Sequence, residues 1–185
     1  AYFKIKDTFG PNNMTALLVP SGNYEAEKEI LQRLSTYPEV KSTMGLSNIE
    51  AMDGYMLTDA LNPRQLSELV GLDYEVTQVL YTAYAMEHNQ YGKLLNGIDE
   101  YSVPLFDMFI YLKDELKERN ITFEDSDMEM LSDLFTQLEK AQAQLQNENY
   151  SRMVVYLNLP EEGDETYAFL KEIRSIMGEY YEEDY

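Results

Sequence analysis

No cysteine occurs anywhere in the chain. That excludes a disulfide framework, a thiolate metal site and a cysteine nucleophile. Tryptophan is absent too, and His88 is the single histidine. With no titratable partner in sequence reach, that imidazole reads as a residue at a helix C-terminus rather than a catalyst or metal ligand. Cations are scarce: 14 Lys and Arg stand against 34 Asp and Glu, a net charge of −20. Nucleic acid and anionic lipid would be repelled, so neither is expected as a partner. No apolar run approaches the roughly 18–20 residues that cross a bilayer, and the first residues lack the basic and apolar regions of a signal peptide. The chain as it stands reads as a soluble piece. The patterns GxSxG, HExxH, GxGxxG and GxxxxGK[ST] are all missing. Among so many carboxylates no pair stands out, so no catalytic residue, metal ligand or cofactor is assigned and a non-enzymatic role is expected.

What the chain has is a near-duplication, its copies about 140 residues apart. Met14-Thr-Ala-Leu-Leu-Val-Pro20 is an apolar strand, Ser21-Gly-Asn23 a turn, and the segment with Ile30, Leu31 and Leu34 an amphipathic helix leading to Val40. The second copy is Met153-Val-Val-Tyr-Leu-Asn-Leu-Pro160, a turn at 161–164, and a helix with Phe169, Leu170, Ile173 and Ile176. Two such units in one sheet predict an α+β fold of the ferredoxin-like, split βαβ kind. Strands are expected near 14–19, 40–44 and 152–159, with helices at 24–37 and 164–180 on one face. Asn23 is placed to cap the first helix, with Glu25 and Glu27 near the positive end of its dipole. The chain reaches Tyr185 where a last strand would begin, which predicts a truncated strand and a piece of a larger protein. The edge at 14–19 would then be exposed, to be covered either by a second copy or by residues 2–9, which read equally as strand or helix.

Between the copies the β-branched runs vanish and a 3.6-residue period takes over, predicting an all-helical insertion. The domain division is residues 1–48 with 150–185 as the sheet domain, and 49–149 as the insertion. Asn62-Pro63 opens a helix that closes at Gly71, and Asp73 caps a second whose Val76, Val79, Leu80, Ala83 and Met86 form one stripe. Leu105, Phe109, Leu112 and Leu116 mark a third helix, and Met128, Leu131, Phe135, Leu138 and Leu145 a fourth, together an antiparallel hairpin. Asp125-Ser-Asp127-Met-Glu129 has the one, three, five spacing of a calcium loop, but Met130 takes the glycine position, so it reads as a helix start. The 16 Tyr and 7 Phe suit core packing or contact with an apolar ligand. Tyr81, Tyr84, Phe106 and Tyr111 are the candidate ligand or partner surface, with the alternative that they seal the insertion.

Phe9-Gly-Pro-Asn-Asn-Met-Thr-Ala-Leu-Leu-Val-Pro, Val40-Lys-Ser-Thr-Met-Gly-Leu and Tyr150-Ser-Arg-Met-Val-Val-Tyr-Leu resemble the first large extracytoplasmic loop of resistance-nodulation-division exporters. The likeness is to the mycobacterial-membrane-protein-large-type transporters of Gram-positive bacteria, and extends over Asp53-Gly-Tyr-Met-Leu-Thr-Asp and Leu72-Asp-Tyr-Glu-Val. It implies a ferredoxin-like porter subdomain at the outer face of the cell membrane. Its partners would be the transmembrane portion of the same polypeptide and an apolar or lipid-like substrate, with a homo-oligomer left open. The proton-relay residues of such exporters lie in transmembrane helices, so no functional residue carries over. The rival expectation is a stand-alone protein-interaction module that docks through its helical hairpin.

Overall fold

The computed structural model describes residues 2–8, 13–119 and 125–183. In chain order the elements are β1 (Tyr2–Thr8), β2 (Met14–Pro20), α1 (Tyr24–Leu34), β3 (Val40–Met44), β4 (Glu50–Met52), β5 (Tyr55–Met56), β6 (Ala60–Leu61), α2 (Pro63–Val70), α3 (Tyr74–Glu87), β7 (Val103–Pro104), α4 (Leu105–Arg119), α5 (Asp125–Leu145), β8 (Tyr150–Leu157), α6 (Asp164–Met177) and β9 (Glu182–Glu183). The fold is α+β. It divides into two compact units, Ala1–Ile49 with Ala141–Tyr185 and Glu50–Lys140, and the boundary falls inside α5.

The first unit is built on a five-stranded sheet of order β3-β8-β2-β1-β9. β8 pairs antiparallel with both β2 and β3, so those two run in the same direction on either side of it. β1 lies antiparallel against the outer edge of β2, in the register Ile5 to Leu17. Of the two expected ways to cover that edge, the chain uses its own first residues, as strand. β9 then adds to β1 in parallel over Tyr2 to Glu182 and Phe3 to Glu183. In place of the expected truncated last strand, the chain has a strand of two residues, and it lies beside β1 instead of β2.

Both helices lie on one sheet face. Period-2 alternation sends Leu17, Val19, Met153, Val155 and Leu157 to that face, where they meet Ala26, Ile30, Leu31 and Leu34 of α1 and Phe169, Leu170, Ile173, Ile176 and Met177 of α6. Fully burying one such side chain contributes about 1.5–3 kcal/mol. The opposite face also carries apolar groups, with Ala16 and Val154 buried and Leu18 and Tyr156 half-buried. That is why β2 and β8 read as continuous apolar runs. Asn23 caps α1 by accepting from the Ala26 N–H. The helix ends at Leu34, short of the expected residue 37, where Ser35 Oγ and the turn before Pro38 take over the last carbonyls. Gly45 leaves β3 beneath α1, where a Cβ would sit 2.8 Å from Leu31 Cδ1 and 3.2 Å from Met153 Cγ.

The second unit holds α2, α3 and α4, with the part of α5 up to Lys140. Asn62 and Gln65 form a reciprocal capping box at α2, and Gly71 closes the helix at φ 70°, a left-handed conformation that glycine adopts without strain. Asp73 Oδ1 accepts from the N–H groups of Glu75 and Val76 to start α3. Lys113 of α4 pairs with Glu139 of α5 at 3.3 Å, and Leu131 and Leu138 of α5 are buried, as the near-heptad spacing requires. The connection between these helices, 120–124, lies outside the described residues. α5 begins at Asp125, in line with a helix start over the calcium-loop spacing. The expectation of an all-helical insertion is corrected: β4 pairs with β5 and β6 with β7. Strands of two or three residues are too short to carry an alternating pattern, and Pro104 masked one of them.

Candidate functional site

The four aromatic residues singled out from the sequence come together, but inside. Tyr81 and Phe106 are at most 1% exposed, and Tyr84 and Tyr111 are 7% and 8% exposed. The three tyrosines pack edge to face as the aromatic quadrupole prefers: Tyr81 against Tyr101 at 6.1 Å between centroids, Tyr84 against Tyr111 at 5.2 Å. Tyr81 Oη donates to the Leu61 carbonyl at 2.8 Å and Tyr101 Oη to Gln90 Oε1 at 2.8 Å. Burial pushes the phenols of Tyr81 and Tyr84 well above their ordinary range, with neighbouring Tyr101 and Asp107 adding smaller contributions. These rings form the core of the second unit and offer no surface to a ligand. His88 caps α3 with its Nδ1 2.8 Å from the Tyr84 carbonyl and its ring stacked on Tyr84 at 3.9 Å. It thus holds the helix C-terminal position its isolation in the sequence suggested.

Three residues of the sequence stripe are among the exposed apolar groups of the same unit. Val76 is 55% exposed, Val79 69% and Met86 65%, and Tyr91 and Leu95 just beyond the helix are 67% and 87% exposed. The inward face of α3 is instead Thr77, Tyr81, Tyr84 and Ala85. α3 is apolar on both sides, so periodicity finds two candidate stripes, and the bulkier aromatic one wins the core. The stripe found by periodicity lies on the outer side, exposed at Val76, Val79 and Met86 and half-buried at Leu80 and Ala83.

In the first unit, two open pockets lie near the ends of the sheet. One, of about 450 Å³, is lined by Asn13, Lys41, Ser42 and the chain from Tyr156 to Leu159. There Asn13 Nδ2 donates to the carbonyls of Leu159 and Pro160, tying the loop after β8 to the start of β2. The other, of about 550 Å³, lies between Tyr37, Glu39 and Leu159 on one side and Glu165, Ala168, Phe169 and Glu172 of α6 on the other. Tyr37 Oη donates to Glu172 at 3.1 Å, and its ring tilts against Phe169 at 5.6 Å. Deeper in this unit Glu27, 1% exposed, lies near Tyr181, whose phenol is pushed up to about 12 by burial and then by the Glu27 charge. The two acidic residues near the positive end of the α1 dipole divide: Glu25 is exposed and Glu27 is enclosed. Among the described residues no three His, Asp or Glu side chains are grouped to hold a metal ion, and no helix is long and apolar enough to cross a membrane. No family model, curated protein or solved structure matches the chain.

Proposed function

We propose that the chain is an extracytoplasmic domain of a membrane exporter, contributing passage or gating for an apolar or amphipathic substrate while energy coupling occurs in the transmembrane portion of the same polypeptide. The observation that carries the reading is the sheet order. The run β3-β8-β2 is consistent with the second, third and first strands of a ferredoxin-like split βαβ sheet, while the place beside β2 that such a sheet gives to its last strand is taken by β1, with β9 beyond it. Both crossover helices cover one face, and the helical unit enters between the second and third of these strands. An α+β sheet unit interrupted by a second unit is what the resemblance to resistance-nodulation-division exporters leads one to expect, and it supports the reading in that sense. The acidic surface suits a domain that stands clear of anionic headgroups.

The test is the whole gene. The open reading frame is expected to encode hydrophobic spans of about 20 residues flanking this region. Its tagged product is expected in the membrane fraction, with this domain cleaved by protease added outside intact protoplasts. A product that is soluble, or protected until the cells are lysed, overturns the exporter reading. The second reading, a protein-interaction module, is favoured by one observation, the exposed apolar side of α3. It differs from the expected docking through the α4–α5 hairpin in where the contact lies.

A further inference from the structure

We propose that the outer face of α3 docks an amphipathic helix of a partner protein whose apolar seam is flanked by lysine and arginine. The proposal does not rest on the exporter reading. Val76, Val79, Ala83 and Met86 are spaced three, four and three residues apart, the a, d, a, d pattern of a coiled-coil seam, with Leu80 beside them. The opposite side of the helix is used up inside its own unit by Tyr81, Tyr84 and Ala85. A helix with two apolar sides has a second side left to cover once the first is packed; here Val79 and Met86 remain 69% and 65% exposed. At about 1.5 Å per residue, the fourteen residues of α3 offer roughly 20 Å of seam, room for two heptads of a partner helix.

Charge selects the occupant. The positions flanking the seam hold Glu75, Leu80, Thr82, Glu87 and Asn89, acidic or neutral throughout; from Gln65 to Gly92 the chain has no Lys or Arg but carries Glu68, Asp73, Glu75 and Glu87, and the nearby Arg64 lies over the Tyr74 ring at the start of the helix. In a helix pair these flanking positions set partner choice through salt bridges. A second copy would bring together two chains of net charge −20, and an anionic bilayer would meet the same repulsion. A helix with an apolar seam and basic flanks satisfies both the surface and its charge.

The experiment uses the full chain and a synthetic helical peptide of about three heptads with Leu at a and d and Lys at e and g. A control peptide has the same composition with the Leu residues moved off the seam. Isothermal titration calorimetry is expected to show the seam peptide binding at least about tenfold more tightly than the control. The double variant Val79→Gln, Met86→Gln, of unchanged charge, is expected to lose about tenfold in affinity with an unchanged melting temperature. Should that pair disturb the fold, Val79→Ala with Met86→Ala removes the seam without adding a polar group. Glu75→Gln with Glu87→Gln is expected to weaken binding and reduce its salt dependence. Equal binding of the two peptides, or no loss in the seam variants, would mean generic attraction to an acidic protein and overturns the proposal. So does a failure of the seam peptide to bind. A dimer by light scattering that the seam variants abolish assigns the face to a second copy, and capture by phosphatidylcholine vesicles assigns it to a bilayer; either result also overturns it.

Discussion

Tyr81 carries its hydroxyl into the interior of the second unit and spends it on the Leu61 carbonyl. Tyr81→Phe keeps the ring packing and removes the donor, so it is expected to cost about 1–3 kcal/mol and to lower the melting temperature measured by circular dichroism. An unchanged melt would show that the hydroxyl contributes nothing net. Tyr181 gives a pH dependence of definite sign. In the unfolded chain its phenol ionises near 10, whereas in the fold burial and Glu27 hold it neutral up to about 12. Between those values the unfolded chain has released a proton that the folded chain keeps, so stability is full below pH 10 and falls as pH rises toward 12. Tyr81 and Tyr84 are shifted in the same direction and act in the same sense. Urea melts across that range are expected to show falling stability, with a shallower fall in Tyr181→Phe. An equal slope in that variant would remove Tyr181 from the account. The exposed Arg33 to Glu179 pair contributes little by comparison, because solvent screens it.

At the scale of elements, termini and close approaches decide more than propensity does. Asn62→Ala removes the accepting half of the α2 capping box and is expected to cost about 1 kcal/mol. Gly71→Ala meets no neighbour within 4 Å but forces alanine into the left-handed region, at about 1–2 kcal/mol. Gly45→Ala is the opposite case, since its backbone is extended at φ −164° and the penalty comes from the Leu31 and Met153 side chains, about 1–3 kcal/mol of overpacking. Chemical denaturation of the three variants separates these causes. A Leu31→Ala background should soften the Gly45 penalty and leave the Gly71 penalty untouched.

For the whole molecule the exposed edge is the governing question. β1 supplies the backbone partner along β2 from Lys4 against Leu18 to Thr8 against Met14. A variant lacking residues 1–9 would leave that edge unpaired, with Ala16, Leu17 and Val19 along it, all buried in the intact chain. It is expected to melt lower and to associate, read as a mass above the monomer by light scattering. A monomer of unchanged melting temperature would show that β1 does not protect the sheet. The charge of −20 acts at the same scale: self-repulsion weakens the compact state, so added salt is expected to raise the melting temperature.

The sequence by itself determined the elements whose signals are local. Asn23, Asn62 and Asp73 each cap the helix that side-chain chemistry assigned to them, and the two apolar runs became neighbouring strands because a buried strand has to be apolar on both sides. Tertiary structure alone decided which side of α3 faces inward, because a helix apolar on both sides has no preferred side until larger rings compete for the core. It also decided that Tyr2–Thr8 is a strand, since only the unpaired edge of β2 distinguishes that outcome from a helix. The short β4–β5 and β6–β7 ladders were illegible for a related reason: two or three residues form a strand only when another segment supplies the hydrogen bonds. Tyr81, Tyr84, Phe106 and Tyr111 were singled out because they fall on or beside apolar faces of two helices, yet periodicity says only which residues share a face. Whether that face meets solvent or core depends on what packs against it, and that is a property of the folded chain.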